Sequence, residues 1–222
     1  MTTRRMRRTC TGSRRERGQG LVEFALVLPV FMLLLLTMLD FGYAFYTNLT
    51  IEYATREGAR VGAALANGGG TPVCPDAGPA ADVDKLVIAA VERVINSAGI
   101  KIDVDPSGGG GVTGIQIYKA DPATGQSVGT STTNLWTYSL GAGPTIPGTT
   151  TKLDFVETTH KWDVCSRVNS IATSDALGVS LSYTYAYITP IANVMRLVTP
   201  GGDPPTIQLN DRTVMRLNPT GQ

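Results

Sequence analysis

The sequence predicts an α+β protein: a long N-terminal transmembrane helix, then a small extracytoplasmic domain with a second helix and an antiparallel sheet. Three observations carry that reading. The run from Phe24 to Tyr46 is apolar apart from Asp40. Residues 82–98 place Val83, Leu86, Val87, Ala90, Val91, Val94, Ile95 and Ala98 on one face at helical period. Later segments alternate apolar and polar residues, most clearly Val179, Leu181, Tyr183, Tyr185 and Tyr187.

The first helix follows from length and charge. Phe24–Leu39 is 16 residues without a charge, and FGYAFY after Asp40 extends the apolar character to Tyr46. The whole run measures roughly 34 Å as a helix, enough to cross a hydrocarbon core of ~30 Å. Pro29 would kink a soluble helix and is tolerated in a membrane helix with neighbours. Before this run stands a basic leader. Residues 1–18 hold seven Arg against the single acid Glu16, while residues 19–222 carry 12 basic and 17 acidic residues. Cationic residues beside a spanning segment stay cytoplasmic, so the leader lies inside and the chain from about residue 50 lies outside. That placement removes the reading of the arginines as a nucleic-acid arm. An ordinary secretory signal needs a small-residue cleavage site after the apolar run, and Asp40-Phe41-Gly42-Tyr43 stands there instead. No Cys follows the run for a lipoprotein.

Beyond the membrane the helix continues. Ala54, Gly58, Gly62 and Ala66 fall at four-residue steps and make a strip of small side chains that lets a helix approach closely. The strip has two uses, packing against the chain's own domain or against another molecule. Gly68-Gly69-Gly70 and Pro72 end the helix. In the second helix Asp82 is the expected N-cap and Gly99 the residue after the C-terminus. Expected strands are Ile100/Ile102/Val104, Ile115/Ile117, Leu153/Phe155, Val179–Tyr187, 206–209 and 213–217, with loops at Gly108–Gly111 and 141–151. The expected organisation is a leader at 1–18, an extended helix at 19–66, a linker at 67–81 and an outer α+β domain at 82–222.

Composition narrows the function. A chain of 222 residues, 42% hydrophobic with a net charge of +1, is too apolar for disorder and too evenly charged for a bulk nucleic-acid binder. One His and three Cys leave little for a His/Cys metal cluster. His160 stands in THKWD without a second His, and neither G-x-S-x-G nor a phosphate loop occurs, so no catalytic residue, metal or cofactor is expected. Cys10 is cytoplasmic. Cys74 and Cys165 are both outside, where oxidation is permitted, and make one possible bridge of about 4–5 kcal/mol in the chain-entropy model.

The junction Arg17-Gly18-Gln19-Gly20-Leu21-Val22-Glu23-Phe24 resembles the cleavage site of class III signal peptides. The wider pattern, with GQ-x-LVEFALVLPV at Gly18–Val30, the pair Asp40-Phe41 and REGAR at Arg56–Arg60, resembles TadE-like proteins, the minor pilins or pseudopilins of Tad (tight adherence) pilus systems. GVSLSYTYAYITP at 178–190 and RTVMRL at 212–217 agree more loosely. The resemblance implies that a prepilin peptidase cuts between Gly18 and Gln19 on the cytoplasmic side, leaving Glu23 fifth and Phe24 sixth. It implies other pilins, Tad inner-membrane assembly proteins and membrane lipid as partners, and no nucleic acid. It places the chain in the cytoplasmic membrane or a surface pilus. The metal motif DxSxS of the longer TadG-like proteins is absent. Major Tad pilins are much shorter than this chain. Apart from the resemblance, the residues also suit a single-pass cell-surface protein whose outer domain binds a ligand or an adhesion target.

Overall fold

The computed structural model describes residues 14–67, 79–102, 110–193 and 206–219. Its first element, α1 (Arg14–Leu65), is one uninterrupted 52-residue helix that runs through Pro29. It is already helical at Arg14, the first described residue, ahead of position 19. Two halves of very different surroundings follow from its sequence. From Gly18 to Leu39 nearly every side chain is exposed, among them Leu21, Phe24, Leu34 and Met38. From Asp40 onward a buried stripe appears at Asp40, Thr47, Thr50, Ile51, Ala54, Thr55, Gly58, Ala59, Gly62 and Ala63. These steps of three and four residues mark one face of a helix laid on a core. The hydroxyls of Thr47 and Thr50 donate back to the carbonyls of Tyr43 and Tyr46 at 2.9 Å, which lets polar side chains sit on the buried face. The helix ends at Leu65, and Ala66 takes a left-handed conformation (φ 48°) with its N–H donating to the Gly62 carbonyl. The expected stop at Gly68–Gly70 and Pro72 lies outside the described residues.

The second helix, α2 (Pro79–Ala98), buries Val83, Val87, Ile88, Val91 and Ile95 and lies beside the C-terminal half of α1. Asp82 is not its N-cap. The helix begins at Pro79, so Asp82 sits in the first turn, where its carboxylate pairs with Lys85 at 3.1 Å. Gly99 does follow the C-terminus with φ 67°, a conformation that favours glycine.

Five antiparallel strands form one sheet in the order β3-β2-β1-β4-β5: β1 (Gly111–Ala120), β2 (Thr133–Tyr138), β3 (Phe155–Thr159), β4 (Ala176–Ala186) and β5 (Thr206–Arg216). With its two helices the fold is α+β. β4 carries the clearest alternation in the sequence and lies next to the edge, with Leu177, Val179, Leu181, Tyr183 and Tyr185 buried towards the helices. It pairs without a break against β5, from Ala176↔Arg216 to Ala186↔Thr206. Several expectations change here. Residues 100–102 form no strand, although the Ile102 carbonyl accepts the Val112 N–H at 3.0 Å, and Val104 lies outside the described residues. Leu153 and Tyr187 flank their strands and do not join them. The expected pair 206–209 and 213–217 is a single strand carrying Asn210, Asp211 and Arg212 in its middle. β2 was not anticipated.

Helix α1 is fastened to the sheet by polar contacts as well as apolar ones. Thr55 donates to the Asp211 carboxylate and lies 3.0 Å from the Thr213 hydroxyl, both on β5. The Asn218 N–H donates to the Ala63 carbonyl. The half of α1 from Asp40 onward is therefore part of the domain core, while among the described residues its N-terminal half stands clear of the domain.

Candidate functional site: the processing segment and the Asp40 contact

At the start of the described helix, Gly18, Gln19 and Gly20 are exposed, and no atom lies within 4 Å of a Cβ placed at either glycine. The Gln19 side-chain amide donates to Glu23 Oε1 at 3.0 Å, one helical turn away. Phe24 is exposed beside it. Gln19, Glu23 and Phe24 thus lie on an open helix surface that, among the described residues, meets no other part of the fold. Among the described residues one helix, α1 over Gly18–Leu65, is long and apolar enough to cross a membrane.

Asp40 is where the open half meets the domain. It is only 4% exposed, although its helical neighbours Leu39 and Phe41 are each above 60%. The bend that follows β4 closes over it. Ile188 N–H donates to Asp40 Oδ1 at 2.9 Å, Thr189 N–H to the same oxygen at 3.2 Å, and the Thr189 hydroxyl to Oδ2. The Tyr185 hydroxyl donates to the Asp40 main-chain carbonyl at 3.0 Å. An isolated carboxylate on the face of an apolar helix is costly, and these donors supply the partners that make it tenable. Aromatic rings extend the contact, with Tyr43 6.1 Å from Tyr185 and Tyr185 6.0 Å from Tyr187. One turn higher, the Tyr46 hydroxyl donates to the Ala98 carbonyl at the end of α2. Sequence reading noted Asp40 as an interruption and as half of the Asp40-Phe41 pair. Its partners stand almost 150 residues away, in the segment 178–190 that shared the same looser resemblance.

The small-residue strip faces the chain's own α2 and β4. A Cβ on Gly58 would lie 2.6 Å from a methyl of Val91, and one on Gly62 would lie 3.0 Å from Leu177 and 3.1 Å from Val87. Ala54 and Ala66 are fully buried. Of the two uses open to the strip, the fold takes the internal one.

A third cluster surrounds Cys165, which is disulfide-bonded. Its expected partner Cys74 lies outside the described residues. Nearby, the fully buried Arg167 places one guanidinium nitrogen 2.7 and 2.9 Å from the two oxygens of Asp84, and its carbon 4.5 Å from the centre of the Trp162 ring. Asn134 on β2 donates to Asp84 and to the Trp162 carbonyl, and accepts the N–H groups of Lys161 and Trp162. His160 bridges Glu157 at 2.7 Å and Asp163 at 2.6 Å. Burial opposes charge on that imidazole, yet the two carboxylates outweigh it and hold its pKa above the ordinary value. Asp84, Glu157 and His160 each bring a ligand atom within 4.8 Å of the others. Arg167 and Asn134 already occupy the Asp84 oxygens, and His160 is held between two acids, so the grouping works as a clasp between α2 and the loop after β3.

Residues 18–60 match the family model described as TadE-like protein. No curated protein and no solved structure matches the chain. The matched stretch starts at Gly18, runs through Glu23 and Asp40, and ends within the small-residue strip. The likeness to TadE-like proteins covers 43 of the 222 residues, all of them on α1.

Proposed function

We propose that the chain is a membrane-anchored minor pilin, or pseudopilin, that takes part in Tad pilus assembly once a prepilin peptidase has removed residues 1–18. The observation that carries this is the coincidence of the family match, which begins at Gly18, with a helix that is open from Gly18 to Leu39 and docked from Asp40. A peptidase needs an accessible bond, and the Gly18–Gln19 junction is exposed and uncrowded. The seven arginines of the leader favour a cytoplasmic N-terminus in the inner membrane, with the α+β domain outside. In this arrangement the leader is 1–18, the anchor and extended helix 19–66, the linker 67–81 and the outer domain 82–222. Physically, residues 40–66 belong to the domain's core as much as to the anchor.

Glu23 is the assembly residue in this reading. A carboxylate at the edge of hydrocarbon costs on the order of 2–3 kcal/mol without a partner. Cleavage creates a new amine at Gln19, and the amine of a neighbouring subunit is a stronger partner than the Gln19 side-chain amide that Glu23 meets within its own helix. Phe24, exposed beside it, adds apolar surface to the same helix contact. Other pilins and the inner-membrane Tad assembly proteins are the partners of this surface.

The test compares two variants in pilus-bearing cells. Glu23→Gln should leave membrane level and cleavage unchanged while reducing surface pili and co-purification with other pilins. Gly18→Leu should block cleavage and leave the Arg leader attached. Normal piliation by both variants would remove the proposal.

A further inference from the structure

The spacing of the two acids along α1 sets a depth for the bend that follows β4. Between Glu23 and Asp40 lie 16 uncharged residues, or about 24 Å of helix, which is shorter than the ~30 Å of a hydrocarbon core. With Glu23 at the inner boundary, the outer boundary falls about 20 residues further on, near Tyr43. Asp40 then lies a few ångströms inside the outer boundary. The bend supplies its partners, with the amides of Ile188 and Thr189 and the Thr189 hydroxyl all on the Asp40 carboxylate. Irregular backbone is tolerated at such a depth only where its polar groups are satisfied, and here two of its amides are. The bend therefore shares the depth of Asp40. Its outward side chain is Ile188, 62% exposed, with Pro190 also exposed.

We infer that the bend at 187–190 is a second membrane contact of the outer domain, with Ile188 seated among lipid at the outer-leaflet interface. The occupant is lipid because the bend that carries the exposed Ile188 is held on Asp40, the residue after the exposed Leu39 of the spanning half of α1, whose own environment is the bilayer. Asp40 then has two consequences. It fixes the domain to the helix, and it holds an apolar tip at the membrane surface, so that the domain rests on the bilayer at this end of β4. The inference depends on the single-pass reading of α1.

Site-directed spin labelling of the full chain separates the two. In a Cys10→Ser background reconstituted into vesicles of phosphatidylethanolamine and phosphatidylglycerol, single labels are placed by Ile188→Cys, Leu34→Cys and Ile171→Cys. Leu34 is on the open half of α1. Ile171 is exposed beyond the opposite end of β4, a strand of 11 residues or roughly 35 Å. Collision with oxygen reports lipid, and collision with a soluble nickel chelate reports water. The labels at 188 and 34 should both meet oxygen and exclude the chelate, and the label at 171 should meet the chelate several-fold more often than either. A chelate-accessible label at 188 beside a shielded label at 34 overturns the inference and leaves the spanning helix intact. A label at 188 closed to both probes means that protein, such as a second copy, covers the bend, and also overturns it. Chelate access at 34 overturns the spanning reading itself.

Discussion

Removing the Asp40 carboxylate should loosen the domain from its helix. Asp40→Ala deprives the Ile188 and Thr189 amides and the Thr189 hydroxyl of their acceptor, while the Tyr185 hydroxyl keeps the main-chain carbonyl at 3.0 Å. Hydrogen bonds to a charged acceptor contribute ~1.5–3 kcal/mol each, and a partly exposed bend recovers some of that from water and headgroups. The net loss should be about 2–4 kcal/mol, a large share of a total stability of ~5–15 kcal/mol. For a chain of this size the corresponding fall in Tm is roughly 5–12 °C. Asp40→Asn keeps one oxygen for the two amides and should lose only about 1 kcal/mol. Thr189→Val should cost less in the Asp40→Ala background than alone, because the two groups share one contact. The assay is thermal unfolding of the full chain in detergent, followed by near-ultraviolet circular dichroism of the buried Trp136 and Trp162. An Asp40→Ala protein that melts within about 2 °C of the parent would refute the reasoning, since three lost hydrogen bonds to a carboxylate should move the midpoint further.

Three other outcomes are expected. Gly58→Ala should destabilise by about 1–2 kcal/mol, because its Cβ would meet a Val91 methyl at 2.6 Å and the gain in helix propensity offsets only part of the overpacking; Gly42→Ala, at a position with open space, should leave the melting point unchanged. Burial, with the Asp154 carboxylate adjacent, pushes the Glu92 carboxyl up to about 7 from 4.5, so the folded state holds its proton more tightly than the unfolded chain. Stability should therefore fall as pH rises from about 4.5 to 7 and then level off, and Glu92→Gln should remove that slope and gain at most ~3 kcal/mol at pH 8 in denaturant titrations. Finally, non-reducing peptide mapping should recover Cys74 joined to Cys165; recovery of Cys74 as a free alkylated thiol would refute that pairing.

The parts of the fold legible in the sequence are those whose burial is apolar and periodic. The α2 face and β4 present an unbroken set of aliphatic and aromatic side chains at the period of their element. β2 was hidden because the buried positions at its start are Asn134 and Trp136, and a buried Asn carries no hydrophobic signal. Its cost is met by Asp84 and by main-chain groups of the loop at 161–162, none of which is local. β5 read as two pieces because Asn210, Asp211 and Arg212 interrupt it. It is an edge strand, where charges are tolerated, and Asp211 is turned inward to Thr55 of α1. The Gly18–Gln19 junction and Glu23 stand out through their resemblance to class III signal peptides, which neighbouring residues alone are enough to carry. The Asp40 contact was not, because an acid inside an apolar run shows that a partner is needed without showing where in the chain it lies.

The central claim is that the chain enters the membrane as a precursor and is cut between Gly18 and Gln19. Intact-mass and N-terminal peptide spectrometry of protein purified from membranes tests it most directly. The account predicts a mature N-terminus at Gln19 with the Arg leader absent. An intact Met1, or an N-terminus beyond residue 40, would contradict it.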